Sequence, residues 1–152
     1  MKLTKSKYEG DGMANVITYG TFDLFHIGHL RLLERAKELA GPGGTLTVVV
    51  SSDKFNRVEK NKCCAIPDVH RAAIIGALRC VDRVLLETSW EQKRKDIIEN
   101  SIDILVMGDD WKGKFDSLSD ICKVVYLPRT PDISSSALKN HLRGDIYTER
   151  QQ

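Results

Sequence analysis

The sequence has no apolar run approaching the roughly 20 residues that carry a helix across a bilayer. Its polar start, Met1 to Gly12, also lacks the apolar stretch of a secretory signal. A cytoplasmic location without membrane contact is therefore expected. Charge of one sign is lacking too: 23 Lys and Arg against 21 Asp and Glu leave a net +2. No broad basic field favours wrapping nucleic acid, so any anion must be bound locally. Cysteine is sparse, and Cys63, Cys64, Cys80 and Cys122 show neither paired C-x-x-C spacing nor the density of a disulfide scaffold. They are expected as reduced thiols. The adjacent Cys63 and Cys64 have no second pair and no histidine cluster to complete a metal site, so no protein-bound metal is expected. Internal repeats and low-complexity stretches are absent as well. What is present, 41% apolar and 29% charged residues in 152, describes one globular domain with a single core.

Along the chain, short β-branched runs alternate with helical spacing. Val16–Tyr19, Thr45–Val50, Arg83–Leu86, Ile104–Met107 and Lys123–Leu127 read as strands. Leu30–Leu39, Val69–Leu78 and, more weakly, Trp90–Ile98 space apolar residues at three and four, as helices do. The alternation predicts an α/β fold, a single Rossmann-like domain with a five-stranded parallel sheet and helices on both faces. Ligands of such sheets bind beyond the carboxyl ends of the strands. Residues 1–12 read as a disordered leader or extension, 13–143 as the domain and 144–152 as a C-terminal tail. Ser51–Pro67 reads as a long irregular connection, and its Lys54, Arg57, Lys60 and Lys62 suggest a mobile cover.

Two places carry chemistry. After the first strand, Gly20-Thr21-Phe22-Asp23 leads to His26-Ile27-Gly28-His29 at a helix start. Unpaired N–H groups and the positive end of the helix dipole favour phosphate there. His26 and His29, three apart, share a face and can donate hydrogen bonds to a phosphoryl group whose charge grows in the transition state. Gly28 is expected to leave room for a ligand. As pure structure the same histidines would merely cap the helix. After the fifth strand, Pro128-Arg129-Thr130-Pro131-Asp132-Ile133-Ser134-Ser135-Ser136 precedes a short helix. Arg129, serine hydroxyls and free helix N–H groups suit the outer phosphates of a nucleotide.

The pattern Gly-Thr-Phe-Asp followed by His-x-Gly-His resembles the signature of the nucleotidyltransferase superfamily. Four further segments resemble the glycerol-3-phosphate cytidylyltransferases: Ser51-Ser52-Asp53-Lys54-Phe55-Asn56, Lys60-x-Lys62, Trp90-Glu91-Gln92-Lys93, and Met107-Gly108-Asp109-Asp110-Trp111 with Gly113-Lys114-Phe115-Asp116. The resemblance covers nearly all of Asn15 to Leu138. It implies catalytic roles for His26, His29, Lys60, Lys62 and Arg129, and nucleotide contacts from Thr21, Phe22, Asp53, Asp109, Thr130, Ile133, Ser134 and Ser135. It implies acceptor contacts from Arg71, Arg79, Trp90 and Lys93. It further implies CTP and a phosphorylated polyol as substrates, Mg²⁺ carried with the nucleotide, and a homodimer. Alternatives are adenylyl or cytidylyl transfer to ribitol 5-phosphate, a sugar phosphate or a flavin, and a nucleotide-binding regulator without turnover. One departure stands out: Asp132 occupies a position where glycine is usual, which a left-handed backbone would explain.

Overall fold

The computed structural model describes residues 12–149. All of the expected leader but Gly12 lies outside them, as do the last three residues of the expected tail. Five strands, β1 (Asn15–Gly20), β2 (Thr45–Ser51), β3 (Arg83–Glu87), β4 (Ile104–Gly108) and β5 (Lys123–Leu127), form one parallel sheet in the order β3-β2-β1-β4-β5. Val16 pairs with Leu46 on one side and Ile104 on the other, so β1 is central. Its alternation sorts side chains by face, because successive residues of a strand point to opposite sides. Val16 joins Val48, Val50 and Val106 under α1 (Ile27–Ala40) and α3 (Asp68–Gly76), through Leu33, Ala36 and Ile75. Ile17 and Tyr19 join Val49, Leu105 and Met107 under α4 (Gln92–Glu99), through Ile97. The sheet is thus covered on both faces, as expected. The four cysteines are free thiols.

The chain runs from β1 outward to β2 and β3, then returns to β4 on the opposite side of β1. That reversal opens a crevice beyond the carboxyl ends of β1 and β4.

Two expectations fail here. Ser51–Pro67 is not wholly irregular: α2 spans Asp53–Lys60. Ser52 caps it, accepting a hydrogen bond from Phe55 N, and Phe55 and Asn56 are buried beneath it. Lys60 therefore sits at the end of a helix, and the irregular part of the connection runs over 61–67. The helix after Ser134 is not short, since α5 runs through Ser135–Glu149.

Candidate active site

The crevice is a cleft of about 520 Å³, within the range that holds a small-molecule ligand. Its walls come from the ends of β1, β3, β4 and β5, from the start of α1 and from α5.

The start of α1 is built by its two histidines. His26 is the N-cap, and its Nδ1 accepts a hydrogen bond from Gly28 N at 3.0 Å. His29 reciprocates, its Nδ1 accepting from His26 N at 3.2 Å. The rings stack with centroids 3.8 Å apart. A nitrogen that accepts a backbone N–H carries no proton, so each neutral ring bears its proton on Nε2. Burial and then the Arg129 charge lower the His26 pKa. Burial and then His26 push His29 down to about 4, against the pull of Asp23. Capping and catalysis are therefore not rival readings here. The proximal nitrogens fasten the helix while the distal N–H groups stay available to the cleft.

The pair also gives a further reason for Gly28. A Cβ there would lie 2.9 Å from Cε1 and 3.0 Å from Nδ1 of His26. The glycine, which itself lines the cleft, makes room for the capping ring. Gly28→Ala should displace the His26 ring and lower turnover by roughly tenfold or more, with a loss of the His26 cap visible in the imidazole nitrogen shifts by NMR. Unchanged turnover and shifts would refute this account of the glycine.

Asp23 gathers the surrounding segments. It is 3% exposed, and its carboxylate accepts from Ala65 N at 2.7 Å, Ile66 N at 3.0 Å and Lys139 Nζ at 2.7 Å. Its carbonyl accepts from Ser135 Oγ at 2.6 Å. Burial alone would raise its pKa, but Lys139 and the two backbone N–H groups outweigh that and hold the carboxyl below its usual range. The turn before α1, the connection after α2 and the start of α5 are thereby locked together. On α5, Ser134 caps by accepting from Ala137 N at 3.0 Å, and Asp132 has a φ of 64°. The left-handed backbone expected at that position is observed.

Residues 17–141 match the profile of the cytidylyltransferase-like family. The chain belongs to that family. Over 132 residues it is 53% identical to the glycerol-3-phosphate cytidylyltransferase of Bacillus subtilis strain 168, which covers 87% of this chain and 99% of that protein. Over a further 132-residue match it is 44% identical to the glycerol-3-phosphate cytidylyltransferase of Staphylococcus aureus, covering 87% and 97%. The crystal structure of the lipopolysaccharide core biosynthesis protein from Thermoplasma volcanium superposes with a TM-score of 0.68 at 31% identity, over 78% of this chain and 99% of that one.

Of the residues singled out from this cytidylyltransferase-like sequence, Thr21, Phe22, His26, His29, Lys60, Lys62, Trp90, Lys93, Arg129, Thr130, Ile133, Ser134 and Ser135 line the cleft. Phe22 sets its ring edge-on to His29 at 5.4 Å. Four do not line it. Arg71 is 1% exposed, and its guanidinium is occupied by the carbonyls of Ile66, Thr21 and Ser51 and by Asp53. Asp53 spends its carboxylate on that arginine at 2.7 Å and on Asp68 N at 3.1 Å. Arg79 is exposed in the connection after α3. Asp109 and Asp110 are both exposed, but Asp110 is the one that lines the cleft, over Gly108, where a Cβ would come within 2.6 Å of Asp110 Oδ1.

The cleft adds residues that sequence reasoning did not single out: Asp23, Glu87, Asp110, Lys139 and Arg143. Asp23 belongs to the motif already quoted, and Glu87 ends β3, where a parallel sheet places its ligands. Both carried a positional signal. Lys139 and Arg143, one turn apart on α5, carried none until the helix was known to extend.

Proposed function

We propose that this chain transfers CMP from CTP, carried as its Mg²⁺ complex, to glycerol 3-phosphate, giving CDP-glycerol and pyrophosphate. The observation that carries the transfer chemistry is the reciprocal histidine cap, which leaves two neutral imidazoles with distal N–H groups at one phosphate-binding helix start. The choice of substrates rests on the likeness to the two glycerol-3-phosphate cytidylyltransferases.

An oxygen of the acceptor phosphate attacks the α-phosphorus in line. A new P–O bond forms as the bond to the bridging oxygen of pyrophosphate breaks. The acceptor is already largely a dianion at neutral pH, so no general base is required, and the protein must mainly position two anions and offset their repulsion. His26 and His29 donate to the α-phosphoryl oxygens as charge builds there. Arg129, Thr130, Ser134 and Ser135 hold the outer phosphates. Lys60 and Lys62 face them across the cleft, and Trp90 and Lys93 form the acceptor side. The working unit is a homodimer in the cytoplasm.

Pyrophosphate release measured over four nucleoside triphosphates and a panel of phosphorylated polyols tests this reading. CTP with glycerol 3-phosphate should exceed ATP, and should exceed ribitol 5-phosphate, by about tenfold or more in kcat/KM. Preference for ATP with a flavin or sugar phosphate would replace the reading with adenylyl transfer. CTP binding without release would replace it with regulation.

A further inference from the structure

Beneath the cleft, at the carboxyl end of β3, Glu87 is 1% exposed and Lys93 is 4% exposed. Their Oε2 and Nζ lie 2.5 Å apart. The other oxygen of Glu87 accepts from Ser51 Oγ at 3.1 Å, and Ser51 Oγ in turn accepts from Lys60 Nζ at 3.2 Å. One carboxylate therefore serves two lysines that the functional reading places on opposite substrates. Both ammonium groups also face the ring of Trp90, at 5.5 Å for Lys60 and 5.0 Å for Lys93. Lys93 lies over Tyr19 and Phe115 as well, and Lys60 over Phe55.

A buried ion pair is a poor device for stability, because desolvating both ions offsets much of their attraction and an apolar pair of similar volume often does better. Its placement calls for another reason. Two like charges against one aromatic wall repel each other and resist desolvation before any phosphate has entered.

We infer that Glu87 is a positioning residue, holding the ammonium groups of Lys60 and Lys93 fixed beside one aromatic wall, one through Ser51 and one directly, until phosphate arrives. The role rests on the reading of the cleft as a cytidylyltransferase site, but the coupling can be tested apart from it. The groups facing Lys60 are Ser51 from β2, Glu87 from β3, Lys93 from α4, and Lys62 and Cys64 from the connection after α2. Burial lowers the Lys60 pKa most. Lys93 and Lys62 lower it further, and Glu87 is the leading opposing influence. Removing the carboxylate should let Lys60 lose its proton at lower pH.

Two measurements on Glu87→Gln and Ser51→Ala decide the matter. Reductive ¹³C-methylation keeps lysine charged, so an NMR pH titration of the Lys60 signal reads the coupling directly and needs no turnover. The signal should titrate at lower pH in Glu87→Gln and, to a smaller extent, in Ser51→Ala. The alkaline limb of kcat/KM for CTP should follow, with Glu87→Gln losing roughly tenfold more activity than wild type between pH 7 and pH 9. A Lys60 titration that superimposes on wild type in a folded variant would overturn the coupling. A displaced titration with an unmoved kinetic limb would overturn the functional role alone. Should Glu87→Gln fail to fold, Ser51→Ala leaves the Glu87–Lys93 pair in place, and its Lys60 titration decides by itself. Wild-type protein that releases no pyrophosphate would count against the cytidylyltransferase reading and leave the NMR result to judge the coupling.

Discussion

His29→Asn is expected to lower turnover by about a hundredfold or more while melting within a few degrees of wild type. Asparagine places an amide oxygen close to where Nδ1 of His29 accepts from His26 N, so the helix start keeps its fastening. What it cannot supply is the distal N–H. A donor aimed at developing charge is typically worth about 10²–10³ in rate, or roughly 3–4 kcal/mol. The loss should fall on kcat rather than on KM for CTP, because the interaction strengthens only as charge accumulates on the α-phosphoryl group. Steady-state kinetics beside a thermal melt test this. Near wild-type kcat would remove His29 from the chemistry and leave it a cap. A large drop in melting temperature would show that the cap depends on the ring itself.

Arg71→Met is expected to act on the fold rather than on the acceptor. Four short hydrogen bonds converge on this side chain: Nε to Ile66 O at 2.8 Å, the guanidinium to Thr21 O at 2.7 Å and Ser51 O at 2.8 Å, and to Asp53 Oδ1 at 2.7 Å. Methionine fills similar space but leaves three carbonyls and a carboxylate without their donor. Removing one partner from a buried charged network costs about 3–5 kcal/mol, against a total stability of about 5–15 kcal/mol for a domain. For a chain of this size the melting temperature should fall by about 10 °C or more. An arginine that bound the acceptor phosphate would show the reverse, a raised KM for glycerol 3-phosphate with the melt unchanged. Differential scanning calorimetry and acceptor kinetics on the same sample separate the two.

The sheet was legible because strands buried on both faces must be almost wholly apolar and β-branched, and runs such as Thr45–Val50 leave little choice of structure. The short helix α2 was not legible for the opposite reason. Asp53-Lys54-Phe55-Asn56-Arg57-Val58-Glu59-Lys60 offers one large buried apolar residue, and its formation depends on Ser52 as cap and on tertiary packing of Phe55 and Asn56. Motif spacing placed His26 and His29 at one end of the cleft and Arg129 and Ser134 at the other. It could not show that Arg71 turns inward to backbone carbonyls, nor which of Asp109 and Asp110 faces the cleft, since adjacent residues at the end of a strand diverge and only the following 3-10 turn fixes their directions. Glu87 and Lys93 were illegible as a pair because nothing in six residues of separation says that both will be buried.

The lock around Asp23 bears on the order in which this protein can become active. Its partners lie 42 and 43 residues away in the connection after α2 and 112 residues away at Ser135. During synthesis the first strands and α1 can pair and pack while most of the chain is still being made. The carboxylate, though, is not fully satisfied until α5 docks and Lys139 arrives. Maturation of the cleft is therefore tied to the docking of α5, far along the chain from Asp23. The sheet core can therefore form well before the cleft is complete, since Lys139 and Arg143 of α5 supply part of its wall.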